Sequence, residues 1–174
     1  MKKNLIIRFL LSLLICHFFI SANVVKASER KVVLEGKQAI DFTLKTVEGR
    51  TVSLSEYKGK VVVINFWTTW CTYCQEEMEE LNKFSEEMKS FNVELLSVNV
   101  TSAEENKQAV IQFISHANMP YRVGLDVKGE VSQLYRIIGI PTTYIIDEQG
   151  IVQKKILGPV TSPILKETII HIKK

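Results

Sequence analysis

The chain is poor in the residues that build most metal sites, with three cysteines and three histidines in 174 residues. One cysteine and one histidine lie within residues 1–27. A zinc site takes about four Cys or His ligands, so Cys71 and Cys74 would need both His116 and His171. We therefore expect no metal and no cofactor, with half of a zinc site or a plain structural bridge as alternatives for the two cysteines.

The chain also lacks an excess of basic charge once its N-terminus is set apart. Four of the 22 Lys and Arg residues lie within residues 1–27, which leaves 18 basic against 19 acidic residues and a net charge of −1. We therefore expect no nucleic-acid partner, because such proteins carry a basic patch or stripe. There is no obvious repeat and no low-complexity tract. The length fits one domain after an N-terminal segment.

Residues 1–27 have the pattern of a targeting segment: a positively charged start is followed by a nearly apolar run at residues 9–22. The spacing of small residues allows signal-peptidase cleavage after Ala27. Retention as a membrane anchor is the alternative, because residues 5–25 are about long enough to span a bilayer. Either outcome predicts that residues 28–174 form an extracytoplasmic domain, secreted or anchored to the outer face of the cytoplasmic membrane.

The most specific signal is the segment Asn65-Phe66-Trp67-Thr68-Thr69-Trp70-Cys71-Thr72-Tyr73-Cys74. It follows an apolar run at residues 61–64 and leads into a helical pattern. A Cys-x-x-Cys pair between a buried strand and a helix is typical of a reactive dithiol. A disulfide across two residues closes too short a loop to add much chain-entropy stability. The motif therefore predicts redox chemistry at Cys71 and Cys74.

The remaining pattern predicts strands alternating with helices. Strand-like stretches at 39–44 and 51–54, around Glu48-Gly49-Arg50, predict an N-terminal hairpin after a loosely held lead-in at 28–37. Further strands are predicted at 61–66, 93–100, 121–125, 142–146 and 151–156, and helices after Cys71 and at 104–117, 130–135 and 163–172. The first helix carries an apolar stripe that should face the core, formed by Met78, Leu81, Phe84, Met88 and Phe91. This order predicts a mixed α/β sheet covered on both faces, with the dithiol at the carboxyl end of a central strand.

These residues resemble the thioredoxin superfamily, and within it the exported TlpA/ResA-like thiol-disulfide oxidoreductases. The resemblance rests on the motif from Asn65 to Cys74, on residues 36–44, and on Ile140-Pro141-Thr142-Thr143, which is similar to the family's cis-proline loop. It implies a thioredoxin-like fold: a central mixed sheet flanked by helices, with an added N-terminal β-hairpin. A helical insertion is expected near residues 103–117.

Roles for the two cysteines follow from their positions. Cys71 lies at the start of a helix, where backbone N–H groups and the helix dipole favour a thiolate. We therefore expect Cys71 to attack a substrate disulfide and Cys74, one turn further along, to resolve the mixed disulfide.

A proton acceptor for Cys74 is implied by the resemblance. Many thioredoxins carry a buried aspartate six residues before the first cysteine, but this chain has Asn65, which cannot titrate. ResA-like proteins have a glutamate three residues after the second cysteine, and here that residue is Glu77. The alternative is that Glu77 belongs to a solvated acidic face with Glu76, Glu79 and Glu80.

A docking surface for substrate is also implied by the resemblance. The Ile140–Pro141 peptide bond is expected to be cis and packed against the cysteines, with the backbone of Ile140 offered to a substrate strand. Trp70 is expected to shield the disulfide and to form part of the same surface.

The expected function is an exported thiol-disulfide oxidoreductase that reduces disulfides of envelope proteins such as apocytochrome c or assembly factors. Its expected electron donor is a CcdA-type membrane protein, and the chain is expected to be a monomer. The alternatives are a disulfide-donating oxidant or isomerase, a thiol peroxidase, or a non-enzymatic binding module. Ile64 stands where the peroxidase motif Pro-x-x-x-Thr-x-x-Cys has its proline, which disfavours the peroxidase. Thr72 and Tyr73, between the cysteines, do not settle the direction of electron flow.

Overall fold

A computed structural model describes residues 32–173, so the targeting segment predicted at residues 1–27 lies outside the described residues. Within the described part of the chain, no helix is both long and apolar enough to cross a membrane. The strands are β1 (Thr43–Thr46), β2 (Thr51–Ser53), β3 (Val61–Trp67), β4 (Val93–Asn99), β5 (Arg122–Leu125), β6 (Thr142–Ile146) and β7 (Val152–Leu157). The α-helices are α1 (Thr72–Met88), α2 (Lys107–His116), α3 (Glu130–Leu134) and α4 (Ser162–Ile172).

The seven strands form one sheet in the order β2-β1-β5-β4-β3-β6-β7. Strands β3, β4 and β5 are parallel, whereas β6 is antiparallel to β3 and β1 is antiparallel to β5. The predicted mixed α/β sheet is therefore confirmed.

Strand β3 is buried at every residue because both faces of the sheet are covered. Its alternate residues Val62, Ile64 and Phe66 join a core cluster with the N-terminal hairpin and α3. Val61 and Val63 join a second cluster, on the other face, with α1 and α4. This burial on both faces explains the unbroken apolar run that precedes the Cys-x-x-Cys motif.

The N-terminal hairpin and the helical insertion are both confirmed. Strand β1 pairs with β2 as predicted and also joins the hairpin to β5, where a Cβ on Gly124 would lie 2.9 Å from Leu44 Cδ1. A side chain at residue 124 would therefore have to displace the Leu44 side chain where the two strands meet. The inserted helix α2 lies between β4 and β5 and begins later than predicted. The reason is that the Asn106 side chain caps it by accepting the Ala109 N–H at 2.9 Å.

Two expectations are wrong, one for the apolar stripe and one for the lead-in. Phe91 is 59% exposed rather than part of the apolar stripe. Helix α1 ends at Met88, and the following 3-10 turn and the left-handed Asn92 (φ 57°) break the helical period. The lead-in is not loosely held near its end, because Val33 is buried and the Gly36 N–H donates to Val152 O at 2.7 Å.

Candidate active site

Cys71 and Cys74 form a disulfide at the carboxyl end of β3, with their Cα atoms 5.2 Å apart. Cys71 is the N-cap of α1, and its Sγ accepts the backbone N–H of Cys74 at 3.1 Å. Cys71 is 7% exposed, whereas Cys74 is completely buried. A partner molecule can therefore reach the first cysteine but not the second.

The disulfide lies in an apolar cluster. Trp67 and Val123 are buried with the two cysteines, and Ile140 packs against them from the loop before β6. The Ile140–Pro141 peptide bond is cis. The fold thus brings together the motif at the end of β3 and the loop at the start of β6, because these two strands are neighbours.

Trp70 lies at the surface rather than in this cluster. Its side chain is 60% exposed, and its indole N–H donates to the Ala103 carbonyl at 3.0 Å. Tyr73 is similarly exposed, and Ile138, just before the cis bond, is 85% exposed. The outer edge of the site therefore presents large apolar side chains to solvent.

Glu77 is buried, with only 3% of its surface exposed. Its Oε1 accepts from Asn65 Nδ2 at 2.8 Å, and its Oε2 accepts the Val160 N–H at 2.9 Å. Burial raises the pKa of Glu77 to about 7, and the two N–H donors act in the opposite direction because they stabilise the anion. The alternative of a solvated position is therefore wrong for Glu77.

The acidic face of α1 is not uniformly solvated either. Glu76 and Glu79 are exposed, as predicted. Glu80 accepts the backbone N–H of Ser162 at 2.8 Å, at the first turn of α4. Because the N-cap residue Thr161 makes no side-chain cap of its own, this carboxylate from α1 supplies the missing acceptor.

Glu104 is a site residue that the sequence did not indicate. Its Oε1 accepts the Thr69 N–H and Asn99 Nδ2, both at 2.7 Å, and its Oε2 accepts the Thr69 hydroxyl at 2.6 Å. This carboxylate fixes the backbone two residues before Cys71. A weak signal existed in the sequence, since Asn99 stands near the carboxyl end of the strand predicted at 93–100, where polar groups of an α/β site are expected.

Metal ligands do not cluster in the described part of the chain. Across residues 32–173, no group of three or more Cys, His, Asp or Glu side chains is arranged to hold an ion. His116 and His171, which the alternative of a zinc site would need as ligands, lie at helix ends, where each ring Nδ1 contacts a backbone carbonyl of its own helix.

Comparisons with known proteins agree with a thioredoxin-like domain that carries a reactive cysteine pair. A family model described as the AhpC/TSA family matches residues 35–155. Sporulation thiol-disulfide oxidoreductase A of Bacillus subtilis (strain 168) is 37% identical over 126 residues, covering 72% of this chain and 76% of that protein. Thiol-disulfide oxidoreductase ResA of Bacillus thuringiensis subsp. konkukian (strain 97-27) is 33% identical over 171 residues, covering 96% of each.

Solved structures show the same likeness. The crystal structure of StoA from Bacillus subtilis superposes with a TM-score of 0.68 at 36% identity, covering 77% of this chain and 98% of that one. The predicted thioredoxin-like fold is therefore confirmed. The chain belongs to the AhpC/TSA family and is a thiol-disulfide oxidoreductase of the ResA and StoA type, with Cys71 and Cys74 as its cysteine pair.

Proposed function

We propose that the protein reduces disulfides of exported proteins, with Cys71 as nucleophile and Cys74 as resolving cysteine. The observation that carries this assignment is the unequal burial of the two sulfurs at the start of α1. Cys71 lies at the accessible edge, where the helix N-terminus favours its thiolate. Cys74 is sheltered from solvent and can reach only Cys71.

The reaction proceeds in two exchanges. The Cys71 thiolate attacks one sulfur of the substrate disulfide, which forms a mixed disulfide and releases the other substrate sulfur as a thiolate. Cys74 then attacks Cys71 Sγ, which forms the Cys71–Cys74 disulfide and releases the second substrate thiolate. The substrate gains two electrons and the protein loses two. A resolving cysteine three residues from the nucleophile supports this exchange over peroxide reduction.

Glu77 is the proposed acceptor of the Cys74 proton. Cys74 is completely buried in the disulfide form, so a base inside the protein is better placed than bulk water to accept its proton. Glu77 is one turn further along the same helix, and residues three apart share a helix face. A pKa near 7 suits a general base at neutral pH, because both protonation states are then populated.

Substrate docking is assigned to Trp70, Ile140 and Pro141. Ile140 packs beside the cysteines, and the cis bond turns the chain into β6 at this point. In this proposal the backbone of Ile140 pairs with an extended substrate segment, and Trp70 covers the mixed disulfide from the opposite side. The exposed apolar surface of Trp70 and Ile138 suits a partly unfolded polypeptide.

We infer that the domain works outside the cytoplasm, either secreted or held at the outer face of the membrane by residues 1–27. The support is the charged and apolar pattern of that segment. The same setting suggests apocytochrome c or envelope assembly factors as substrates and a CcdA-type membrane protein as electron donor. We infer that the protein acts as a monomer.

Trapping of the mixed disulfide tests the assignment of roles. The Cys74→Ser variant should accumulate a covalent adduct with a disulfide-bonded peptide, whereas Cys71→Ser should form none. Mass spectrometry under non-reducing conditions measures both adducts. Equal trapping by the two variants would contradict the assignment.

A further inference from the structure

We propose that Asn65 is a positioning residue for the reaction at the dithiol, because its side-chain amide orients the Glu77 carboxylate and sustains its charge. The inference rests on the role proposed above for Glu77 and extends it to a residue that cannot itself titrate.

The Asn65 amide joins the helix that carries the dithiol to the strand that follows the cis-proline loop. Asn65 is 1% exposed on β3, and its Nδ2 donates to Glu77 Oε1 at 2.8 Å and to Thr143 Oγ1 at 3.1 Å. Thr143 lies directly opposite Asn65 in the β3–β6 pairing and two residues after Pro141. One buried amide therefore contacts both halves of the site.

The chemistry of the partners determines which way the amide faces. Ionised Glu77 can only accept hydrogen bonds, so Asn65 presents its nitrogen rather than its oxygen to the charged form. The second hydrogen of the same nitrogen is directed to the Thr143 hydroxyl. With both hydrogens engaged, the amide is held in a single orientation.

A second donor completes the arrangement from the opposite side. The Val160 N–H donates to Glu77 Oε2 at 2.9 Å, so each carboxylate oxygen has one N–H partner. Two donors from different elements hold the carboxylate plane without a counter-ion. An unpaired carboxylate in this position would be strongly disfavoured, because burial penalises charge.

The other groups around Glu77 supply no positive charge. Tyr121, just before β5, has a pKa raised first by burial and then by the charge of Glu77. Glu80, on the same helix, is bonded to the Ser162 N–H. None of the ion pairs found within residues 32–173 includes Glu77. The charge of Glu77 therefore depends on neutral N–H donors, and Asn65 provides the only one of the two that comes from a side chain.

The direction of the effect follows from these contacts. A hydrogen bond to the charged form lowers the pKa of a carboxyl, so loss of the Asn65 N–H should raise the pKa of Glu77. The protonated fraction then rises at neutral pH, and fewer molecules can accept the Cys74 proton. Asn65→Asp should act more strongly while keeping the shape of the side chain, because two adjacent carboxyls share one proton.

Two measurements test the proposal, one on the oxidised form of the protein and one on its reduced form. In the first, the protein is labelled with glutamate enriched in ¹³C at its carboxyl, and the Glu77 resonance, assigned with Glu77→Gln, is titrated in the oxidised form. In the second, reduced protein reacts with Ellman's reagent in stopped flow. Attack by Cys71 releases one thionitrobenzoate, and attack by Cys74 on the mixed disulfide releases the second.

We expect Asn65→Ala to raise the Glu77 midpoint by about one pH unit, which slows the second release roughly tenfold at pH 6. Asn65→Asp should raise the midpoint further and slow the second release more. The first release should keep its wild-type rate. Ser97→Ala is the matched control. Ser97 is the β4 partner of Asn65, and its Oγ accepts a buried hydrogen bond of 2.7 Å from the Trp67 indole N–H. The variant removes this bond without touching Glu77. It should leave the Glu77 midpoint unchanged.

The outcomes separate the inference from the proposal on which it rests. Suppose that Asn65→Ala keeps the wild-type Glu77 midpoint while Glu77→Gln slows the second release. This pair of results would overturn the role of Asn65 alone. An unchanged second release in Glu77→Gln would instead remove Glu77 as the base and the positioning role with it. If Asn65→Ala fails to fold, the isosteric Asn65→Asp decides the question by the same two readouts.

Discussion

The Glu104 carboxylate binds Thr69 at two points, accepting its backbone N–H at 2.7 Å and its hydroxyl at 2.6 Å. Thr69 is two residues before Cys71, so a single side chain from the segment after β4 determines how the chain enters the dithiol turn. The contact lies at the carboxyl ends of β3 and β4, which are adjacent parallel strands. The turn is therefore held by the segment after β4 as well as by the start of α1.

Loss of the contact between Glu104 and Thr69 should lower the free energy of unfolding. Glu104→Ala leaves the Thr69 N–H and the Asn99 amide without their acceptor, so we expect a loss of about 1–3 kcal/mol in the free energy of unfolding. Urea unfolding measures this loss. Glu105→Ala, at the exposed neighbouring residue, is the control and should stay within about 0.5 kcal/mol of wild type. Equal stability of the two variants would refute the bracing role of Glu104.

The raised pKa of Glu77 should make the stability of the oxidised domain depend on pH. Folding raises the pKa from its usual 4.5 to about 7, so the folded state binds this proton more tightly. The stabilising contribution is fully present below pH 4.5 and is lost as the pH rises through 7. It amounts to roughly 3 kcal/mol.

Urea unfolding at intervals between pH 4.5 and pH 8 measures this dependence. The unfolding free energies of wild type and Glu77→Gln should diverge across the window, with wild type losing more as the pH rises. Glu79→Gln, an exposed change on the same helix, should follow the wild-type curve. Parallel curves for wild type and Glu77→Gln would show that Glu77 titrates normally.

The redox potential should place the protein among reductants. We expect a midpoint at or below about −220 mV in glutathione or dithiothreitol buffers, since thioredoxin lies near −270 mV and the oxidant DsbA near −120 mV. The fluorescence of Trp70, adjacent to Cys71, reports the transition. A midpoint near −120 mV would reverse the proposed direction and make the protein a disulfide donor.

The two phenylalanines of the predicted stripe should differ in their effect on stability. Phe84 is completely buried between α1 and the sheet, so Phe84→Ala should cost about 3–5 kcal/mol of unfolding free energy. Phe91 is 59% exposed, and Phe91→Ala should change stability by less than about 0.5 kcal/mol. Thermal or urea unfolding distinguishes the two, and a large loss in Phe91→Ala would contradict the exposure of its ring.

Much of the fold could be predicted because its signals are local. The unbroken apolar run of β3, the turn in the N-terminal hairpin and the helical period of α1 each occupy a short window of sequence. The prediction for Phe91 was wrong because it also rested on a local signal. The helical spacing of apolar residues continues in the sequence past the point where the 3-10 turn and Asn92 end the helix. The helix end depends on backbone conformation rather than on the spacing of apolar residues.

The sequence by itself determined the dithiol, its place between a strand and a helix, and, through a resemblance, the cis bond before Pro141. Only the tertiary structure decided which of four neighbouring glutamates is buried. Glu77 is distinguished by partners 12 and 83 residues away, Asn65 and Val160, and Glu104 meets Thr69 across 35 residues. Local patterns report which residues share a face of a helix or strand. The environment of a charged group depends on distant segments that packing brings against that face.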